Sequence, residues 1–81
     1  MNTNEIIPRL NEVFRDVFGD SSISVTASTT ADDIDDWDSI EHINLIGAVE
    51  SEFGMRFKMK EVSGMKNVGE LAEIVAERGK V

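Results

Sequence analysis

Apolar residues recur with helical spacing in three separate stretches, and no stretch alternates them as a half-buried strand would. Ile6, Leu10, Val13, Phe14, Val17 and Phe18 share one side of a helix expected over about residues 4–18. Gly19 ends it, and Pro8 would suit its first turn if the helix began near Ile7. Leu45, Ile46, Val49 and Phe53 repeat the pattern over about 39–53. A short helix fits about 59–64. The last opens at Asn67-Val68-Gly69-Glu70, continues through Leu71, Ala72, Val75 and Ala76, and stops at Gly79. The expected fold is all-α: a small four-helix bundle of three longer helices and one short one, a single domain over 1–81. A chain of 81 residues buries only roughly 60% of the surface its unfolded form exposes. It has no cysteine, so helix packing must supply the stability that a disulfide or a Cys-bound metal cannot.

Between the first two helices, residues 20–38 have no helical period and are rich in Ser, Thr and Asp. A connection this long is commonly functional. Ile23, Val25, Ile34 and Trp37 are expected to tack it onto the helices, with Trp37 an anchor rather than a ligand platform. It ends with Asp32, Asp33, Asp35, Asp36 and Asp38, and Ser39 follows directly. Asp38 is a good N-cap, and Glu41 three positions on completes a capping-box-like pair.

The net charge is −8, and it is concentrated. From Asp16 to Met55 there are ten acids and no base, whereas residues 56–81 carry six bases against four acids. Such a field repels nucleic-acid phosphates and speeds encounters with basic protein surfaces. The N-terminus lacks a basic region followed by an apolar run, position 2 is Asn rather than the Gly that myristoylation needs, and no stretch reaches membrane-spanning length. A cytoplasmic monomer without membrane insertion is the expectation.

The aspartates do not make a calcium loop. Begun at Asp33, an EF-hand would place Asp38 where glycine is required and Asn44 where the bidentate glutamate belongs. Begun at Asp32 or Asp36, it would place Ile34 or Ile40 at a ligand position. Nor do Ser39 and His42, three apart with acids nearby, make a hydrolase: there is no nucleophile elbow and little depth for an oxyanion hole. His42 falls on the side of Leu45, Val49 and Phe53 and reads as a partly buried packing residue. No catalytic or metal site is expected.

Ser39 fits an attachment point instead. With Asp38 capping the helix, its hydroxyl is left to solvent, where the helix dipole and free N–H groups favour a phosphodiester. The second helix also carries two apolar faces. Ile40, Ile43 and Gly47 oppose the Leu45–Phe53 face and are continued by Glu50, Ser51 and Gly54, so either the long loop covers this strip or it is a docking surface.

Asp38-Ser39-Ile40 resembles the attachment motif of acyl carrier proteins, small acidic four-helix bundles, and Glu50–Phe53 is similar to that family's E-x-E-F. The likeness covers nearly the whole chain. It implies a carrier, not an enzyme, holding acyl intermediates of fatty-acid, polyketide or related biosynthesis as thioesters. The thioester would form on 4′-phosphopantetheine, transferred from coenzyme A to Ser39 by a phosphopantetheinyl transferase. Asp38 would assist recognition by the transferase and its magnesium ion. Ile40, Glu41, Ile43, Gly47 and Glu50 would meet acyl-transferring, ligating or condensing enzymes with basic docking patches, and Ile46, Val49, Phe57, Val62, Met65 and Leu71 would shelter the acyl chain. Asn44 stands where fatty-acid carriers commonly have an acid, Gly47 where they have a larger apolar residue, and 56–60 is more basic. In these respects the chain looks more like stand-alone carriers of specialised pathways. An unmodified acidic adaptor for basic partners is the alternative.

Overall fold

The computed structural model describes residues 2–79. In order, it has α1 (Thr3–Phe18), a 3-10 turn at Ala31–Asp33, α2 (Ser39–Phe53), α3 (Met59–Gly64) and α4 (Val68–Arg78), with no strand among the described residues. The all-helical architecture and the extent of all four helices agree with the sequence reading, α1 to within a residue of its start. α1 starts earlier than Pro8 allows for a first turn, because the Asn2 side chain accepts the Glu5 N–H at 3.0 Å and fixes the start at Thr3. Pro8 therefore lies in the second turn, where it removes one backbone donor. The helix continues through it because Ile6, Leu10, Val13 and Phe14 bury the same face. Gly19 and Gly54 close α1 and α2 in the left-handed conformation, both at φ 62°.

Helix α1 packs against both α2 and α4. The core between them is Ile6, Leu10 and Phe14 from α1, Leu45, Val49 and Phe53 from α2, and Val68, Leu71 and Val75 from α4. Arg9 closes one edge, its guanidinium 4.6 Å from the Phe53 ring centre and 2.8 Å from the Glu52 carboxylate. Helix α3 buries no residue completely and rests on the core through half-buried Val62, with half-buried Met65 directly after its end.

The loop between α1 and α2 is held at both of its strands of backbone. Asn11 acts from α1 as an amide clamp, its Oδ1 accepting the Val25 N–H at 2.6 Å and its Nδ2 donating to the Ile7 carbonyl. Arg15 Nε donates to the Ile23 carbonyl at 2.7 Å. Further along, the carbonyls of Thr29 and Ala27 accept the N–H groups of Val68 and Gly69, each at 2.8 Å. These are first-turn donors of α4, which a helix cannot satisfy internally. Val25 is buried, while Ile23, Ile34 and Trp37 are half-buried against the core, so all four expected anchors touch it.

Two glycines then carry opposite predictions. A Cβ at Gly69 would stand 2.8 Å from the Ala27 carbonyl oxygen, a backbone atom that must move to admit it. Gly69→Ala is expected to cost roughly 1–3 kcal/mol by overpacking. A Cβ at Gly47 would meet nothing within 4 Å, so Gly47→Ala is expected to stabilise the domain by up to about 1 kcal/mol. Denaturant midpoints of the two variants check the pair; shifts of the same sign would contradict this packing.

Candidate functional site

Helix α2 begins where the acidic run ends. Asp38 is its cap, Oδ1 accepting the Glu41 N–H at 2.8 Å. The reciprocal half of the expected capping box is absent. Glu41 Oε1 instead accepts the Asn44 side-chain amide at 2.9 Å, and the Asp38 N–H turns back to the Asp36 carbonyl at 3.0 Å. Ser39, the first helical residue, is exposed, and its hydroxyl makes no hydrogen bond among the described residues.

Behind Ser39 lies an aromatic and imidazole bridge. Trp37 packs edge-on against Phe14 with ring centres 5.2 Å apart, and its Nε1–H donates to His42 Nδ1 at 3.0 Å. Indole nitrogen only donates, so Nδ1 is the acceptor and the imidazole proton resides on Nε2, which donates to the Val62 carbonyl at 2.9 Å. His42 is thus half-buried, as expected for a packing residue. It also links the loop to α3, and neither ring nitrogen is free to act as a base. The second tie on α3 is Glu61. Its carboxylate is hydrogen-bonded by the Arg78 guanidinium from α4 and accepts the Lys58 N–H at 2.8 Å. These bonds, Arg78's first, hold the Glu61 carboxyl below the usual glutamate range.

Beside Ser39 opens a cavity of about 280 Å³, lined by Trp37, Asp38, Ser39 and His42 on one part of its surface and by Val62, Met65, Lys66, Asn67 and Leu71 on another. Of the six residues expected to form an apolar shelter, Val62, Met65 and Leu71 line it. Ile46, Val49 and Phe57 do not. Ile46 and Val49 are packed into the core, 6% and 0% exposed, so no open space adjoins them. Trp37 and His42 were read only as packing residues; their closeness to Ser39 in sequence was the signal that could have placed them here.

On the other side of α2, the strip of Ile40, Ile43 and Gly47 is uncovered. Ile40 and Ile43 are 73% and 69% exposed, and the long loop runs elsewhere. Glu50 does not belong to this free surface. Its Oε2 accepts the Phe57 N–H at 2.8 Å, and only 20% of its side chain is exposed, so it fixes the turn after α2. Glu41, half-exposed, stays beside the strip.

No family model matches the chain. It is similar to the acyl carrier protein of Saccharopolyspora erythraea, with 26% identity over 95% of this chain and 81% of the relative. The acyl carrier protein of Acidothermus cellulolyticus is 29% identical over 94% of this chain and 90% of the relative. The decisive likeness is to the solution structure of a holo acyl carrier protein from Geobacter metallireducens. There the TM-score is 0.84 and the identity 43%, over 89% of this chain and 83% of that one. The chain belongs to the acyl carrier protein family. It is a carrier rather than a catalyst, consistent with a site whose imidazole is committed to structure. Among the described residues, no helix of this carrier is long and apolar enough to cross a membrane.

The carrier's α3 should loosen in acid. Glu61 has a lowered carboxyl pKa in the folded state, so its contribution is present above the ordinary glutamate value and is lost as pH falls through the lowered one. Glu61→Gln should remove it at every pH. Amide-exchange protection of residues 59–64, taken relative to the intrinsic rate at each pH, is expected to fall in the variant at neutral pH, and in the parent protein only below the usual glutamate range.

Proposed function

We propose that this carrier bears 4′-phosphopantetheine on Ser39 and presents acyl groups from it to enzymes of a fatty-acid, polyketide or related biosynthetic route. The observation that carries the reading is the state of Ser39: an exposed hydroxyl on the first residue of α2, unpartnered among the described residues because Asp38 makes the cap. In the modification, Ser39 Oγ loses its proton and bonds to phosphorus as the pyrophosphate bond of coenzyme A breaks and adenosine bisphosphate leaves. The oxygen so substituted holds a negative charge where the α2 N-terminus favours one. When bound, the group supplies a thiol that carries acyl chains as thioesters.

The chain's own part is presentation. Asp38 keeps the helix start formed whether or not Ser39 is modified, so the attachment point stays in one place. Ile40, Ile43 and Gly47 offer an apolar strip next to it, with Glu41 at its side, and this combination suits partner enzymes with an apolar patch rimmed by basic residues. The phosphopantetheinyl transferase is the first such partner.

Intact mass after incubation with coenzyme A and a broad-specificity transferase tests the assignment. The parent protein should gain the phosphopantetheine increment, and Ser39→Ala should gain none while keeping its helical circular dichroism. An unmodified parent protein would favour the plain acidic adaptor. Glu41→Lys should slow the modification and weaken its salt dependence, because charge at the edge of an interface acts mainly on association rate. Equal rates at low salt would remove Glu41 from the docking surface.

A further inference from the structure

The segment between α2 and α3 turns apolar side chains inward and basic ones outward. Met55 is buried and Phe57 half-buried, whereas Arg56, Lys58, Met59 and Lys60 are exposed. Two acids fix this segment through its backbone. The Glu50 carboxylate accepts the Phe57 N–H and the Glu61 carboxylate the Lys58 N–H, each at 2.8 Å. Both carboxylates are thus turned toward the chain, and Glu61 is shared with Arg78 as well. Arg56 reaches Glu50 only at 4.0 Å with 91% of its side chain in solvent, a pair that contributes little. Lys58 and Lys60 form no ion pair among the described residues. Between the two lysines stands Met59, 84% exposed. The result is a fixed basic surface with an apolar centre, directly after a stretch from Asp16 to Met55 that contains no base.

We propose that Arg56, Lys58, Met59 and Lys60 form a second docking surface, which takes an acidic patch with an apolar notch on an acyl-handling partner enzyme. Naming that enzyme acyl-handling rests on the carrier reading above; the surface itself does not. Charge complementarity points to the occupant. Nucleic acids and anionic lipid surfaces are extended and uniformly negative. They would meet these cations only by also facing the ten acids of residues 16–55 on a chain of net charge −8. A folded partner can confine its acids to one place. The two docking surfaces are also far enough apart to be read separately. Glu41 is in the first turn of α2 and Arg56 lies beyond the last. The 15 residues of that helix span about 22 Å, against a screening length of roughly 8 Å at physiological salt. A partner must therefore be basic opposite Glu41 and acidic opposite Arg56–Lys60. These two requirements fix its direction along α2. They also turn away enzymes whose docking face is basic throughout, because repulsive contacts sharpen specificity as much as attractive ones. Arginine and methionine are favoured at interfaces over the rest of a surface, and a segment already held by its backbone loses little freedom on binding.

Amide chemical-shift mapping on the isotope-labelled protein tests the surface with three probes. They are a helical peptide whose glutamates surround a central leucine, the same peptide with lysines in place of the glutamates, and phosphatidylglycerol vesicles. The glutamate peptide is expected to shift the amides of residues 55–61, and the lysine peptide those around Glu41. Lys58→Glu combined with Lys60→Glu should weaken binding of the glutamate peptide roughly tenfold and leave the lysine peptide's site in place. Met59→Ala should also weaken the glutamate peptide, with its salt dependence unchanged, which charge attraction alone would not do. Both variants should keep their helical circular dichroism, since the substituted side chains are exposed. Shifts spread over the other lysines and arginines, or insensitive to Met59→Ala, would overturn the docking surface. Vesicles that shift residues 55–61 more strongly than the glutamate peptide would overturn it in favour of a membrane. A mapped surface on a chain that gains no phosphopantetheine mass would overturn the acyl-handling enzyme as its partner and leave the surface standing.

Discussion

Asn11 holds Val25 by both sides of one amide, accepting its N–H at 2.6 Å and offering Nδ2 to its carbonyl at 3.4 Å. A side chain thereby does for one loop residue what a neighbouring strand does in a sheet. The loop needs such partners because a buried backbone donor or acceptor without one costs free energy comparable to a lost hydrogen bond. With Val25 fixed against α1 and the Ala27 and Thr29 carbonyls fixed on the start of α4, the loop spans the bundle and delivers Trp37 to the Phe14 ring. Asp38 and Ser39 follow immediately, so the position of Ser39 is set by contacts made far from it in sequence.

The second helix divides its work between two sides. Its buried side belongs to the core, and its open side carries two isoleucines whose exposure costs stability in the isolated chain. Gly47 adds to that cost, since a glycine inside a helix is less stable than alanine and no packed neighbour requires it here. No packing among the described residues accounts for these three positions on one exposed strip. Glu50 shows the opposite case. It lies on the same side of the helical wheel, yet its carboxylate is committed to the Phe57 N–H and holds the turn into α3.

Helix α3 is the least secured element. It contributes no fully buried residue, and it is kept in place by Val62 and Met65, by the His42 bond to the Val62 carbonyl, and by Glu61 between Lys58 and Arg78. Those are polar ties on a thin apolar contact, the kind of local stability that opens before the rest of a domain. Because α3 and the segment after it line the cavity at Ser39, the same ties set how wide that cavity stands.

Much of this was legible in the chain itself. The spacing of Leu45, Ile46, Val49 and Phe53 fixed the buried side of α2, Asp38 and Asn67 marked two helix starts, and the serine after Asp38 marked the site, because caps and helical periodicity depend on neighbours within about one turn. The helical spacing placed the start of α1 to within a residue, and Pro8 does not mark it: the Asn2 cap and the buried face of Ile6 and Leu10 outweigh the one hydrogen bond that proline removes. Where the loop goes was not legible, since it depends on Asn11, Arg15 and Gly69, residues 14, 8 and 42 positions from the loop atoms they meet. Of the six positions expected to shelter an acyl chain, Val62, Met65 and Leu71 border the cavity at Ser39, for a related reason: periodicity places a residue on a face, and only packing decides whether space remains beside it. Sequence therefore determined the helices, the charge and the serine at the start of α2, whereas tertiary contacts decided which apolar face was left open, which acid was committed to structure and what surrounds Ser39.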